Sequence, residues 1–158
     1  MVRSMDADVL AALVPDWLTA HPDIAWEFAD TTDAFAIDLR PASDPSRCAR
    51  VVAHDATEIF SYSFAGYYTA EFAYDLDEKK AVLEEKIGEA VAAVRGPTQI
   101  LLEWAGKEIV RSAIGHDAGG QPPQQFTTSF PLSRLWWRLR GGRFRREVLV
   151  FPPIPDSA

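Results

Sequence analysis

The sequence predicts an α+β domain built on a mostly antiparallel sheet of roughly six to eight strands, with two main helices packed on one face and a short C-terminal helix. Three observations predict it. Apolar and polar residues alternate over short stretches, two longer stretches carry apolar residues at helical spacing, and residues 57–114 run in the order strand, strand, helix, strand, strand. With 158 residues the chain is long enough for one domain with a substantial core and too short for two ordinary ones. Residues 1–151 are therefore expected to form a single domain, followed by a Pro-rich tail over 152–158.

Asp6 or Asp8 is placed to cap a first helix whose apolar stripe is Val9, Leu10, Leu13, Trp17 and Leu18, with Pro15 expected to break it or restart it. His21-Pro22-Asp23 is its exit turn. Residues 24–40 read as a hairpin. A four-residue turn over 30–33 pairs Phe28 with Phe35, Trp26 with Ile37 and Ile24 with Leu39 on one face, leaving Glu27 and Asp38 on the other. Residues 41–47 form a polar loop and 50–54 a further strand.

The next hairpin admits two registers. A three-residue loop of Phe64-Ala65-Gly66 puts Phe60, Tyr62, Tyr68, Ala70 and Phe72 on one face, whereas a two-residue loop sets Phe60 opposite Glu71. The three-residue register is expected, because a one-residue slip sends the aromatic row to solvent. Asp75 and Glu78 then fit a capping box, with Asp77 as the rival cap. Leu83, Ile87, Val91 and Val94 form the stripe of the helix that follows, Lys79, Lys80, Glu84, Glu85 and Glu89 form its surface, and Gly96-Pro97 ends it. Residues 98–104 and 108–114 make another hairpin around Ala105-Gly106-Lys107, pairing Leu102 with Val110. Residues 116–125 are a long loop, and 131–140 carry Leu132, Leu135, Trp136 and Leu139 at helical spacing, although a hairpin pattern is also present. Residues 144–151 are the final strand. The core is expected to contain Trp26, Phe28, Phe35, Ile37, Phe60, Tyr62, Phe72, Leu83, Ile87, Val91, Ile100 and Leu102.

Net charge is −7, unevenly divided. Residues 1–89 hold 18 acids and 7 bases, giving −11, and residues 90–158 hold 5 acids and 9 bases, giving +4. An acidic surface repels nucleic acid and steers a basic partner, while a local basic cluster still binds anions. The single cysteine, Cys48, permits no internal disulfide, no apolar run has the length of a membrane span, and the first residues lack a signal core, so a cytoplasmic location is expected. Twelve Arg against four Lys and abundant Ala suggest a GC-rich bacterial source.

Chemistry-bearing motifs are sparse. His21 with Asp23, His54 with Asp55 and His116 with Asp117 are metal-ligand types, but no two histidines lie within helical reach, so they are expected to be turn residues that hold no metal. Cys48 has no recognisable catalytic context, and the serine-elbow, phosphate-loop, dinucleotide and zinc-cysteine patterns are missing. No catalytic residue and no cofactor is therefore expected.

The largest departure from average composition is 134–146, with six Arg in thirteen residues, no acid, and Trp136, Trp137 and Phe144 among them. Guanidinium forks and indole faces suit polyanions, which makes Arg134, Trp137, Arg138, Arg140, Arg143, Arg145 and Arg146 the candidate binding residues. The structural alternative is that these arginines lie over aromatic surface and pair with the acidic first half. In size, acidity and lack of catalytic motifs the chain resembles, in layout alone, bacterial immunity proteins that neutralise toxins. The leading expectation is a non-enzymatic interaction module of a bacterial cytosol whose partner is another, basic protein. A nucleic-acid or polyanion binder using residues 134–146 is the alternative, followed by a small metal-dependent hydrolase; no membrane partner is expected.

Overall fold

The computed structural model describes residues 5–54, 57–116, 128–129, 138–139 and 141–155. In chain order they form α1 (Met5–Thr19), β1 (Ile24–Ala29), β2 (Phe35–Pro41), β3 (Ala49–Ala53), β4 (Ile59–Phe64), β5 (Tyr67–Phe72), α2 (Leu76–Arg95), β6 (Thr98–Ala105), β7 (Glu108–Gly115), β8 (Thr128–Ser129) and β9 (Phe144–Phe151). The α+β class with antiparallel pairing is as expected, but the strands make two sheets rather than one. Five run in the order β1-β2-β3-β4-β5, and β6, β7 and β9 form a second sheet with the two-residue β8 on its edge, in the order β8-β7-β6-β9. The reason lies in α2. It crosses back over β4, β3 and β2 instead of returning the chain to the β5 edge, so β6 starts a new sheet. The C-terminal helix expected over 131–140 falls outside the described residues except for Arg138 and Leu139, which are helical.

The helix α2 follows its local signals. Asp75 caps it, its Oδ1 accepting from the backbone N–H groups of Asp77 and Glu78 at 3.0 and 2.9 Å, and Glu78 reaches back to the Tyr74 N–H at 3.2 Å. Gly96 ends it at φ 67°, a conformation glycine adopts without steric cost. A Cβ there would also sit 2.7 Å from the Pro152 carbonyl oxygen, so the exit of α2 lies directly under the end of β9. Lys79, expected on the surface, is buried and donates to Asp6 across the helix pair at 2.8 Å. In α1 the buried face is Ala7, Leu10, Val14 and Leu18 rather than the Val9, Leu13 and Trp17 side. Pro15 does not break it: the ring lies on the exposed side, and one missing N–H is tolerated within a packed helix.

Strand registers differ from expectation in three places, each for a traceable reason. In the first hairpin the pairs are Phe28 with Ile37, Trp26 with Leu39 and Ile24 with Pro41, two residues from the expected register. The shift is even, so every side chain keeps its face. It arises because the connection is held by β3 instead of β1, through the Ala34 N–H on the Ala53 carbonyl, while Thr31 Oγ1 accepts from the Asp33 N–H. Phe28 consequently lies near the end of an edge strand and is exposed.

In the second hairpin the loop has two residues. Phe64 pairs with Tyr67 and Phe60 with Glu71, and Ala65 and Gly66 both have positive φ, at 48° and 89°, as a type I′ turn requires. Phe60, Tyr62, Phe64 and Tyr67 therefore face the helices, while Tyr68, Ala70 and Phe72 face the other way, and Phe72 is 61% exposed instead of core. Two interactions favour this slip. Tyr67 packs on Tyr62 with ring centroids 5.4 Å apart, and Glu71 meets Lys86 of α2 at 3.1 Å. In the third, Gly106 and Lys107 form the turn and Val110 is bulged out of the ladder, so that Leu102 pairs with Ser112 and Glu103 faces Arg111.

The core lies between the five-stranded sheet and its two helices, where Leu10, Ile37, Leu39, Val51, Phe60, Tyr62, Leu83 and Ile87 are fully enclosed, and extends to Ile100 and Leu102 of the second sheet. The β4–β5 turn touches that sheet, since Ile109 and Leu102 methyls lie 3.0 and 3.1 Å from where a Gly66 Cβ would be. The Pro-rich segment is tied at its start, by Arg47 on the Pro152 carbonyl and by the Ile154 N–H on the Arg95 carbonyl.

Candidate functional site

Strand alternation separates the arginines that the sequence groups together. Consecutive residues of β9 point to opposite faces, so Arg145 lies over the Trp104 ring, its guanidinium carbon 5.2 Å from the centroid, while Arg146 turns to the other face and reaches Glu103 at 3.4 Å. Trp104 is fixed in place by its indole N–H on Glu147 at 3.0 Å. Arg138 and Arg143 are exposed. Arg134, Trp137 and Arg140 lie outside the described residues. Arg145 and Arg146 thus engage partners within the second sheet, Trp104 and Glu103. Acids of that half have their own cations: Asp38 with Arg50, Glu27 with Arg40, Asp44 with Arg47, Asp6 with Lys79, and Glu71 with Lys86. Asp23 with Arg95 is a pair that crosses between the two halves.

The histidines are similarly dispersed among structural roles. His21 lies 3.1 Å from an Arg95 nitrogen beside Asp23, and His116 is exposed at the end of β7. Asp55 and Asp117 are outside the described residues. Among the described residues no group of three His, Cys, Asp or Glu side chains is arranged to hold a metal ion. Although Cys48 is an exposed residue, partial desolvation of its thiol, helped by the nearby Asp38 carboxylate, raises its pKa above the ordinary value, which leaves it protonated and a poor nucleophile at neutral pH.

One constellation was not visible in the sequence. His54 Nδ1 lies 3.3 Å from Asp33 Oδ1, and its Nε2 lies 2.9 Å from Ser61 Oγ, which is the connectivity of an acid, base and nucleophile. Its surroundings argue against acyl transfer. Ser61 is 2% exposed and sits mid-strand between β3 and β5, where the neighbouring backbone N–H groups belong to ladders and not to a preorganised oxyanion site. Its evident role is to pin the β1–β2 connection onto β3 and β4. Ser61 becomes a diagonal neighbour of His54 through the pairing of Val52 with Ser61, which no local sequence signal specifies.

The open face of the five-stranded sheet carries the more distinctive surface. Its centre carries small side chains, Ala36, Val52, Ser61, Ser63 and Ala70, of which Ala36 and Ser61 are buried. Across it Arg50 grips Asp38 with two hydrogen bonds of 2.7 and 2.8 Å, and Arg40 adds a bond to Glu27 at 2.8 Å. The Arg50 hydrogen bond holds the Asp38 carboxyl below the ordinary carboxylate range, against the opposing effect of burial. At the β5 margin this face changes character. Tyr68, Phe72 and Tyr74 are 40%, 61% and 69% exposed, within seven residues of chain. Residues 57–78 around them contain five acids, Glu58, Glu71, Asp75, Asp77 and Glu78, and no Lys or Arg. Sequence reasoning missed this surface because its register placed Tyr68 and Phe72 inside.

No helix among the described residues is long and apolar enough to cross a membrane. Comparison of the chain with protein-family models, with curated proteins and with solved structures finds no match in any of the three.

Proposed function

We propose that this chain is a non-enzymatic interaction module of a bacterial cytosol that captures a basic protein partner at the β5 margin. The observation that carries the reading is the cluster of exposed Tyr68, Phe72 and Tyr74 inside a base-free, acidic stretch. Aromatic side chains supply large contact area at low entropic cost, and carboxylates close to them in the chain, Asp75, Asp77 and Glu78 at the start of α2 among them, select positive charge and speed its arrival. Neutralisation of a toxin, as immunity proteins perform it, is the specific role that a small acidic captor of this kind would serve. Polyanion binding is the weaker reading, because Arg145 and Arg146 diverge to opposite faces and engage Trp104 and Glu103.

The test compares wild type with a Tyr68→Ser, Phe72→Ser, Tyr74→Ser variant as bait in extracts of the source organism, at about 0.15 M and about 1 M salt, where screening lengths differ roughly threefold. A basic polypeptide retained by wild type at low salt and lost from the variant is the expected result. Equal retention on both baits, or retention of nucleic acid alone, would overturn the proposal.

A further inference from the structure

We infer that β5 is a strand-addition site, and that the partner contributes an extended segment of alternating basic and apolar residues as a sixth strand of the first sheet. The inference rests on the β5 margin being the partner surface and adds how that surface binds. Among the described residues β5 has one sheet neighbour, β4. The two-residue turn makes Phe64 and Tyr67 a hydrogen-bonded pair, and alternation makes Tyr62 with Thr69 and Phe60 with Glu71 the next ones. The Ala73 N–H on the Glu58 carbonyl, 2.9 Å, continues that set. The backbone groups of Ala70 and Phe72 therefore point away from β4, along the edge where Phe72 is most exposed.

Natural edge strands are blunted by lysines, prolines, bulges or outward charges. β5 has none of these. Its sequence is Tyr-Tyr-Thr-Ala-Glu-Phe, its pairing with β4 is unbroken, and its single charge, Glu71, is turned toward α2 and held by Lys86. By contrast β9, also terminal, carries Arg145, Arg146 and Glu147 and is stopped by Pro152 and Pro153. An unguarded edge is retained where it is used, since it otherwise invites aggregation. The chemistry of the sixth strand follows from the two sides of β5. Side chains on the open face would meet Ala70 and Phe72, and those on the helix side would meet Glu71, which shares the single charge of Lys86 with Glu89 and is 46% exposed at its side chain, giving apolar and basic residues in alternation.

The experiment uses the full chain and a capped six-residue peptide alternating lysine with valine, alongside the same peptide N-methylated at every valine to remove donors from one edge. Binding is followed by fluorescence anisotropy and the Ala70 and Phe72 amides by hydrogen exchange. The unmodified peptide is expected to bind and to slow exchange at both amides by about tenfold or more, a change of roughly 1.4 kcal/mol. The N-methylated peptide should bind at least about tenfold more weakly. Phe72→Ser should weaken the unmodified peptide comparably, as should Ala70→Pro, which removes an outward donor without touching the β4 ladder. If both peptides bind equally and leave the amides unprotected, strand addition is wrong although the margin still binds. Absence of binding by either peptide up to about 1 mM overturns strand addition, with the extract experiment then deciding the margin separately. Protection of Ala70 and Phe72 that rises with protein concentration in the absence of peptide would instead assign the edge to a second copy of this chain.

Discussion

The two faces of the five-stranded sheet are made by alternate residues of the same strands, yet they obey different physics. On the covered face Phe60, Tyr62, Ile37, Leu39 and Val51 are enclosed by α1 and α2, and stability there is a matter of area removed from water and filled volume. On the open face the same strands present Ser61, Ala36 and the Asp38–Arg50 pair at the centre and bare aromatics at the β5 edge. The contrast teaches that aromatic content along a strand does not say where its core is. Phe60 and Phe72 are equally apolar and lie in adjacent strands, and their exposures are 0% and 61%. One face holds the fold, and the other carries its exposed aromatics at the β5 margin.

The largest effect that tests this contrast is expected at Phe60. Phe60→Ala removes a fully enclosed ring beneath α2 and should cost about 3–5 kcal/mol in urea unfolding, because the surrounding helices cannot close the cavity. A loss under about 1 kcal/mol would mean that the covered face is loosely packed and that the two faces do not differ as described.

How much of this was legible in sequence depended on how local the signal was. The span of α2 was readable because Asp75, Glu78 and Gly96 act within one turn of the helix ends. The face division of β1 and β2 was readable because an even register shift leaves it unchanged. The β4–β5 register was not, since Gly66 suits either turn and nothing in the residue type marks Ala65 as left-handed. The decisive partner, Lys86, lies on α2, fifteen residues beyond Glu71. The candidate surface was lost with that register. For the arginines the information was present: a strand over 144–151 already sends Arg145 and Arg146 to opposite sides.

A mid-sized effect should come from the charge pair at the centre of the open face. Asp38 is nearly buried and bidentate with Arg50, and Arg40 stands 3.9 Å away. Asp38→Asn should cost about 2 kcal/mol, as for a hydrogen bond to a charged group, and Arg50→Gln in the Asn background should cost little more. Full additivity of the two substitutions would show that they do not interact and that the centre of this face is merely solvated.

Proton linkage sharpens the same point. Hydrogen bonds from Arg50 and Arg95 lower the pKa of Asp38 and Asp23 in the folded chain, so the unfolded chain binds protons more readily. Their contribution is therefore complete above the unfolded aspartate value of about 3.9 and is lost as pH falls through the lower folded values. The urea midpoint should drop on acidification from about pH 5 toward pH 2, and Asp38→Asn should flatten that drop. An unchanged slope in the variant would remove Asp38 from the account.

The smallest expected effect on stability is at the β5 margin, and its smallness is the informative part. Phe72 has most of its surface in water already and projects from an edge strand on the face away from the helices, so its ring adds little to the core. Phe72→Ser should leave unfolding stability within about 0.5 kcal/mol of wild type, the range of surface substitutions that touch no special feature. A serine there also removes apolar surface from the denatured chain, which offsets part of whatever packing is lost. Loss of 2 kcal/mol or more, on the order of a buried side chain, would mean that Phe72 is covered in solution. In that case the two aromatic rows would belong to one core after all, and the β5 margin could not be the surface that meets a partner.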